Sequence, residues 1–207
     1  MSLDYEKQFY SEKVKLIVGV DEAGRGCLLG PVVAAAVILP IDFSSDLIND
    51  SKQLSEKKRE EAFALIKENA IAFGVGIISP EVIDEINILE ATKLAMKTAI
   101  DNLKHQYDLI LTDAVKLKGF DVDVIPIIKG DAKAQCIAAA SIIAKVTRDH
   151  ICYELDEKYP IYNIRNNKGY GTKDHMDALQ QYGPVKGLHR FSYKPVKSCL
   201  IKKISLF

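Results

Sequence analysis

Four acidic residues are spaced so that a fold could gather them. Asp21 and Glu22 stand side by side in VGVDEAGRG, where an apolar run meets a glycine turn. Asp113 ends the run YDLILTD, and Asp131 lies at the end of DVDVIPIIKGD. Charge beside an apolar strand costs free energy unless something compensates it. Carboxylates gathered at one place repel one another, and hard divalent cations, Mg²⁺ or Mn²⁺, are the usual compensation. Such centres serve phosphate chemistry, because the ions also bind phosphate oxygens. Taken singly, Asp21, Glu22 and Asp131 are equally well explained as turn or cap residues. Asp113 is harder to explain that way, since the strand before it has no reason to end in an isolated acid.

The elements that must position these acids follow from hydrophobic pattern. Lys15–Val20 reads as a buried strand and Gly30–Leu39 as a second, returning after the glycine turn. Ser55 is the predicted cap of an amphipathic helix, and Ile71–Ser79 is a third strand. Ser79-Pro80-Glu81 starts another helix, predicted to reach about His105 with a break near Asn87. Tyr107–Val115 is a fourth strand, and a fifth is predicted to end at Asp131. The Ala-rich stretch that follows, to Tyr159, reads as one long helix packed closely on a sheet. This order predicts an α/β layered domain with a mixed sheet, with the acids at the strand ends where such sheets bind ligands. Residues 1–157 are expected to form that catalytic domain. Residues 158–207, with the helix KDHMDALQQY, form a basic helical and loop region of the same unit.

Charge points to the partner. From Lys158 onward ten Lys/Arg stand against two Asp/Glu, and eighteen against twenty-six before it, although the net charge is zero. A basic quarter on an acidic body suits a polyanion. GRG (Gly24–Gly26) offers backbone amides and one guanidinium. NKGYGT sets Tyr170 between glycines beside Lys168, fit to stack on a sugar or base, and HRFSYKP interleaves aromatics with Arg190 and lysine. Cys27, Cys136, Cys152 and Cys199 form neither a CxxC pair nor a zinc pattern. No window suits a membrane span, and the N-terminus lacks the apolar core of a signal peptide, so the chain is expected in the cytoplasm.

The blocks GVDEAGRG, GPVVAAAVIL, NDSKQLS, EINILEAT, KGDAKAQCIAAASIIAKVTRD, KGYGTKDH and YGPVKGLHRFSYKPV occur in order between about Lys15 and Val196, and together they resemble ribonuclease HII. The resemblance implies a ribonuclease-H-like mixed sheet flanked by helices with a small helical C-terminal region. It implies a monomer that cleaves the RNA strand of RNA–DNA hybrids and nicks duplex DNA at embedded ribonucleotides, using Mg²⁺ or Mn²⁺. By motif, Asp21, Glu22, Asp113 and Asp131 are its catalytic, metal-binding acids. Gly24, Arg25 and Gly26 match the segment that reads the ribose 2′-OH and Tyr170 the tyrosine that stacks at the ribo–deoxy junction; apart from the motif carry-over, Lys52, Lys168 and Arg190 are expected to contact substrate. The chain departs from the family pattern at Cys27-Leu28-Leu29, Asn167 and Phe191. Adjacent strand residues face opposite ways, so Glu22 reaches an ion shared with Asp21 through a bent backbone or through its main-chain carbonyl. The competing classes are a non-catalytic hybrid-binding module and a metal-dependent DNA nuclease of similar fold.

Overall fold

The computed structural model describes residues 4–48, 51 and 54–204. By packing, the chain divides into two compact units. The first holds the chain up to Ala23, Val33–Ile77 and Lys93–Val146; the second holds Gly24–Val32, Ile78–Thr92 and the chain from Thr147 on.

The first unit is built on five strands: β1 (Ile17–Ala23), β2 (Val32–Ile38), β3 (Ala72–Ile78), β4 (Leu109–Asp113) and β5 (Asp123–Ile127), in the spatial order β3-β2-β1-β4-β5. β2 runs antiparallel to β1, while β4 and β5 run parallel to it in succession, so the sheet is mixed as expected. The unit also contains α1 (Glu56–Asn69), the C-terminal part of α2 (Pro80–Asp101) and the N-terminal half of α3 (Gln135–Lys158). Ala35, Val37 and Val75 pack with α1 and α3, whereas the alternate residues Gly74 and Gly76 abut Ala95 and Ala99 of α2. Side chains alternate along a strand, so helices cover both faces of the sheet.

The local signals explain the boundaries. Ser55 caps α1, its hydroxyl accepting from the amide of Lys58. α2 starts at Pro80 and is interrupted at Asn87, whose φ of 67° leaves the helical region. The Asn87 carboxamide then accepts from the amides of Leu89 and Glu90 and caps the helix that resumes. α3 approaches β1 so closely that a Cβ on Gly19 would lie 2.1 Å from the main-chain carbon of Cys136. The small residues that follow on α3, Ala138, Ala139, Ala140 and Ala144, pack with Ala35 and Val37 of β2.

Three expectations are corrected. β1 does not run out at the acids but continues through Asp21 and Glu22, because both stay in register with Ala35 and Ala34 of β2. β5 stops at Ile127, and Asp131 sits instead in a short 3-10 turn, Gly130–Ala132. α2 ends at Asp101 rather than near His105.

The second unit packs Leu28, Leu29, Cys152, Tyr162, Leu179, Leu188 and Val196 into its own core. It includes α4 (Ile164–Asn167), α5 (Lys173–Tyr182) and α6 (Lys194–Ile204), the last not foreseen from the pattern. Thr172 caps α5. The segment after β1 belongs here: Leu28 donates its amide to Gly169, Gly30 donates to Leu188, and Leu28 accepts from Arg190.

Candidate metal centre and candidate nucleic-acid loops

Parity along the strands decides which acids meet. Ile17 and Gly19 of β1, and Leu109 and Leu111 of β4, face α3, and the β1–β4 register pairs Ile17 with Leu109 and Gly19 with Leu111. Two residues further along, the same parity brings Asp21 and Asp113 to the same face at the same level. Asp131 arrives from the turn that joins β5 to α3, and that turn is tied down because the amide of Gly130 donates to the Asp113 carboxylate at 2.8 Å. One carboxylate oxygen from each of Asp21, Asp113 and Asp131 lies within 4.8 Å of the others. Glu22 is not one of the three residues of this group, although its charge acts on Asp21 ahead of that of Asp113.

Asp21 is buried. Burial, followed by the charges of Glu22 and Asp113, pushes its carboxyl well above the usual range, against hydrogen bonds from Ser141 and the Glu22 amide. That amide donates to Asp21 at 2.7 Å, and the Ser141 hydroxyl is in turn paired with that of Ser51 at 2.9 Å. Arg59 of α1 holds the Ser51 segment through the carbonyls of Ser51 and Leu54. Three converging carboxylates, those of Asp21 and Asp131 buried and that of Asp21 destabilised as an anion, form an all-oxygen donor set with excess negative charge. That chemistry fits a hard divalent cation and does not suit a soft metal.

The other expected residues fall in the second unit, apart from Lys52, which lies outside the described residues. Arg25 and Gly26 are exposed, and the edge of the Tyr170 ring lies 3.9 Å from where a Cβ on Gly26 would stand. Tyr170 is 47% exposed. Its phenol is held above its usual range, first by partial burial and then by Cys27, to which it hydrogen-bonds. Lys168 lies over the ring of Tyr153, its ammonium 4.0 Å from the centroid. Arg190 is fully buried: it donates to the carbonyl of Gly30 through two nitrogens and to that of Arg25 through a third. Its guanidinium shapes the glycine loop from beneath.

Arg148 was not anticipated. It is 1% exposed and donates to the carbonyls of Pro31, Leu29 and Lys168, so one side chain braces both the segment that follows GRG and the KGYG segment. Gly24, with φ of 95°, has no room for a Cβ, which would fall 2.1 Å from Arg148 Nε. The signal available in the sequence was an arginine directly after a long apolar helical run, a charge that must find several acceptors. Asn167 also has a structural account. Its side chain donates to Tyr162 and accepts from the amide of Gly169, which fixes the turn before Tyr170.

Comparison with known proteins adds independent findings. The sequence matches the family described as ribonuclease HII over residues 18–196. It is 53% identical over 189 residues to ribonuclease HII of Acetivibrio thermocellus, covering 91% of this chain and 73% of that one. It is 54% identical over 202 residues to ribonuclease HII of Listeria monocytogenes serotype 4b, covering 98% and 77%. The crystal structure of ribonuclease H2 from Pyrococcus horikoshii OT3 superposes with a TM-score of 0.78 at 27% identity, covering 90% of this chain and 98% of that one.

Proposed function

Since this chain belongs to the ribonuclease HII family and is an endonuclease of ribonuclease H type, we propose that it works by two-metal hydrolysis centred on Asp21, Asp113 and Asp131. The substrates in this reading are the RNA strand of RNA–DNA hybrids and single ribonucleotides embedded in duplex DNA, and the products carry 3′-OH and 5′-phosphate ends. The convergence of the three carboxylate oxygens is the observation that carries it. Bound by those residues, Mg²⁺ or Mn²⁺ supplies a water ionised near neutral pH and charge stabilisation at the leaving oxygen. Glu22 joins through its carboxylate where the backbone bends, or through its main-chain carbonyl, and adds negative charge beside Asp21.

The chain's own groups divide the remaining work. Asp113 holds the amide of Gly130 and so fixes the turn bearing Asp131. Gly24, Arg25 and Gly26 present backbone amides and one guanidinium to the ribose, whose 2′-OH both donates and accepts and so distinguishes RNA from DNA. Tyr170 offers a half-exposed ring for stacking at the junction. Lys52 and Lys168 supply phosphate contacts, which carry salt-dependent affinity without sequence preference. Arg148 and Arg190 act beneath these loops as positioning residues. No helix among the described residues is long and apolar enough to cross a membrane. We read the chain as a monomer, and its four free thiols suit the reducing cytoplasm.

The test is cleavage-site mapping on a duplex containing one ribonucleotide, with and without Mg²⁺, and an all-DNA duplex as control. The wild-type chain should nick only the ribonucleotide duplex and only with the ion. Asp113→Asn should abolish nicking while leaving unfolding and hybrid binding near wild type. Wild-type turnover by that variant would refute the assignment.

A further inference from the structure

We propose that Glu6 is a positioning residue for the metal centre: from an N-terminal turn it holds the start of α3, and with it the turn that delivers Asp131. The inference rests on the metal-binding role of the acids proposed above. Glu6 lies outside every motif block, on the short 3-10 turn Tyr5–Phe9, and is buried. Both of its carboxylate oxygens accept main-chain bonds at the amino end of α3, one from the amide of Gln135 at 2.9 Å and the other from that of Cys136 at 3.1 Å. The carboxylate thereby satisfies donors that a helix leaves open at its first turn, and it meets the favourable end of the helix dipole.

The grip extends to the turn itself. Tyr5 donates its amide to Lys133 at 3.1 Å, and Asp4 and Ala134 form an antiparallel bridge. Lys133 and Ala134 both donate to the carbonyl of Gly130, and the amide of Gly130 donates to Asp113. Main-chain bonds therefore run without a break from the N-terminal turn to the segment carrying Asp131, and the Gly130 amide extends them to the carboxylate of Asp113, a second acid of the cluster. A three-residue 3-10 turn has little stability of its own. It is entered through Lys129 at a left-handed φ of 56°, a conformation that persists where the surroundings impose it. What brackets this turn sets where the Asp131 carboxylate points.

The experiment compares the full chain with Glu6→Ala and Glu6→Gln. Three quantities are measured: Mn²⁺ binding to the metal-free protein by electron paramagnetic resonance, the Mg²⁺ dependence of nicking with kcat and KM separated, and Tm. Glu6→Ala should weaken Mn²⁺ binding roughly tenfold, the lower end of what groups behind metal ligands carry. It should also raise the Mg²⁺ needed for half-maximal rate, with KM for the duplex unchanged. Glu6→Gln keeps one acceptor and should fall between, and it carries the test if the alanine variant does not fold. Val196→Ala, in the core of the second unit, should lower Tm without changing Mn²⁺ binding. Mn²⁺ affinity unchanged in both Glu6 variants overturns the proposal, as does an equal loss in Val196→Ala. A wild-type chain that binds no Mn²⁺ overturns it differently, by removing the metal role of the acids themselves.

Discussion

Arg148 and Arg190 carry charge where water does not reach, and between them their nitrogens bond to the carbonyls of Arg25, Leu29, Gly30, Pro31 and Lys168. Charge-assisted bonds of this kind are roughly twice as strong as neutral ones, which offsets the desolvation. They leave Tyr170 and Arg25 exposed on two loops, each pinned by these bonds. Tyr170→Ala should therefore weaken nicking at single ribonucleotides by about 1–3 kcal/mol of transition-state free energy, the range of one stacked base. Steady-state kinetics on the one-ribonucleotide duplex measure this, and unchanged kcat/KM would remove the ring from the site. At this scale Asp113 was legible as an isolated acid closing an apolar strand, whereas Asp21 and Asp131 read equally as turn or cap residues until the fold gathered them with it. The two arginines were not: surface lysine-rich stretches and buried arginines look alike until a fold supplies acceptors. Arg190, read from its basic neighbourhood as a substrate contact, is one such case.

Among the elements, β1 and α3 set the geometry. Their backbones meet at Gly19, where no side chain fits. Gly19→Ala should destabilise the protein by at least ~3 kcal/mol, the upper range of overpacking, because the obstruction is main chain and cannot rotate away. Denaturant unfolding measures it, and a near-neutral result would mean the helix can slide. The alternation in β1 also puts Asp21 on the face that Asp113 shares, and Asp21 rather than Glu22 belongs to the three-acid group. Element existence was legible in hydrophobic runs, caps and prolines, down to the interruption at Asn87. The ends of β1 and β5 were not, because pairing with a neighbour extended one strand past its apolar residues and the Gly130–Ala132 turn ended the other early. α6 escaped notice because its lysines mask a short apolar stripe anchored by Val196 and Cys199.

Over the whole molecule, the buried histidines make stability depend on pH. Val185 can only donate its amide to His189 Nδ1, so His189 carries its proton on Nε2, facing His175 Nε2 at 3.3 Å, and His175 donates from Nδ1 to the carbonyl of Tyr170. Both rings must be neutral for this chain of bonds. Burial, then His175, pushes His189 down to about 4 from an ordinary 6.5. The unfolded chain then binds more protons between those values. The contribution is fully present above pH 6.5 and is lost as pH falls toward 4, on the order of 3 kcal/mol in all. Unfolding free energies at pH 7 and pH 5 should differ less in His189→Asn than in wild type; equal differences would show that the pair is not the cause. The charge asymmetry along the chain was visible in composition. The assignment of residues Gly24–Val32 to the second unit was not, since it depends on bonds to residues more than a hundred positions away.

All four cysteines are free thiols and all are buried. An alkylating reagent therefore meets Cys27, Cys136 and Cys152 only when the protein opens, while Cys199 lines an open pocket beside α6. Cys136 belongs to the first unit, and Cys27 and Cys152 belong to the second. Their order of modification is thus a clock with two hands, timing the opening of each unit in an unaltered chain.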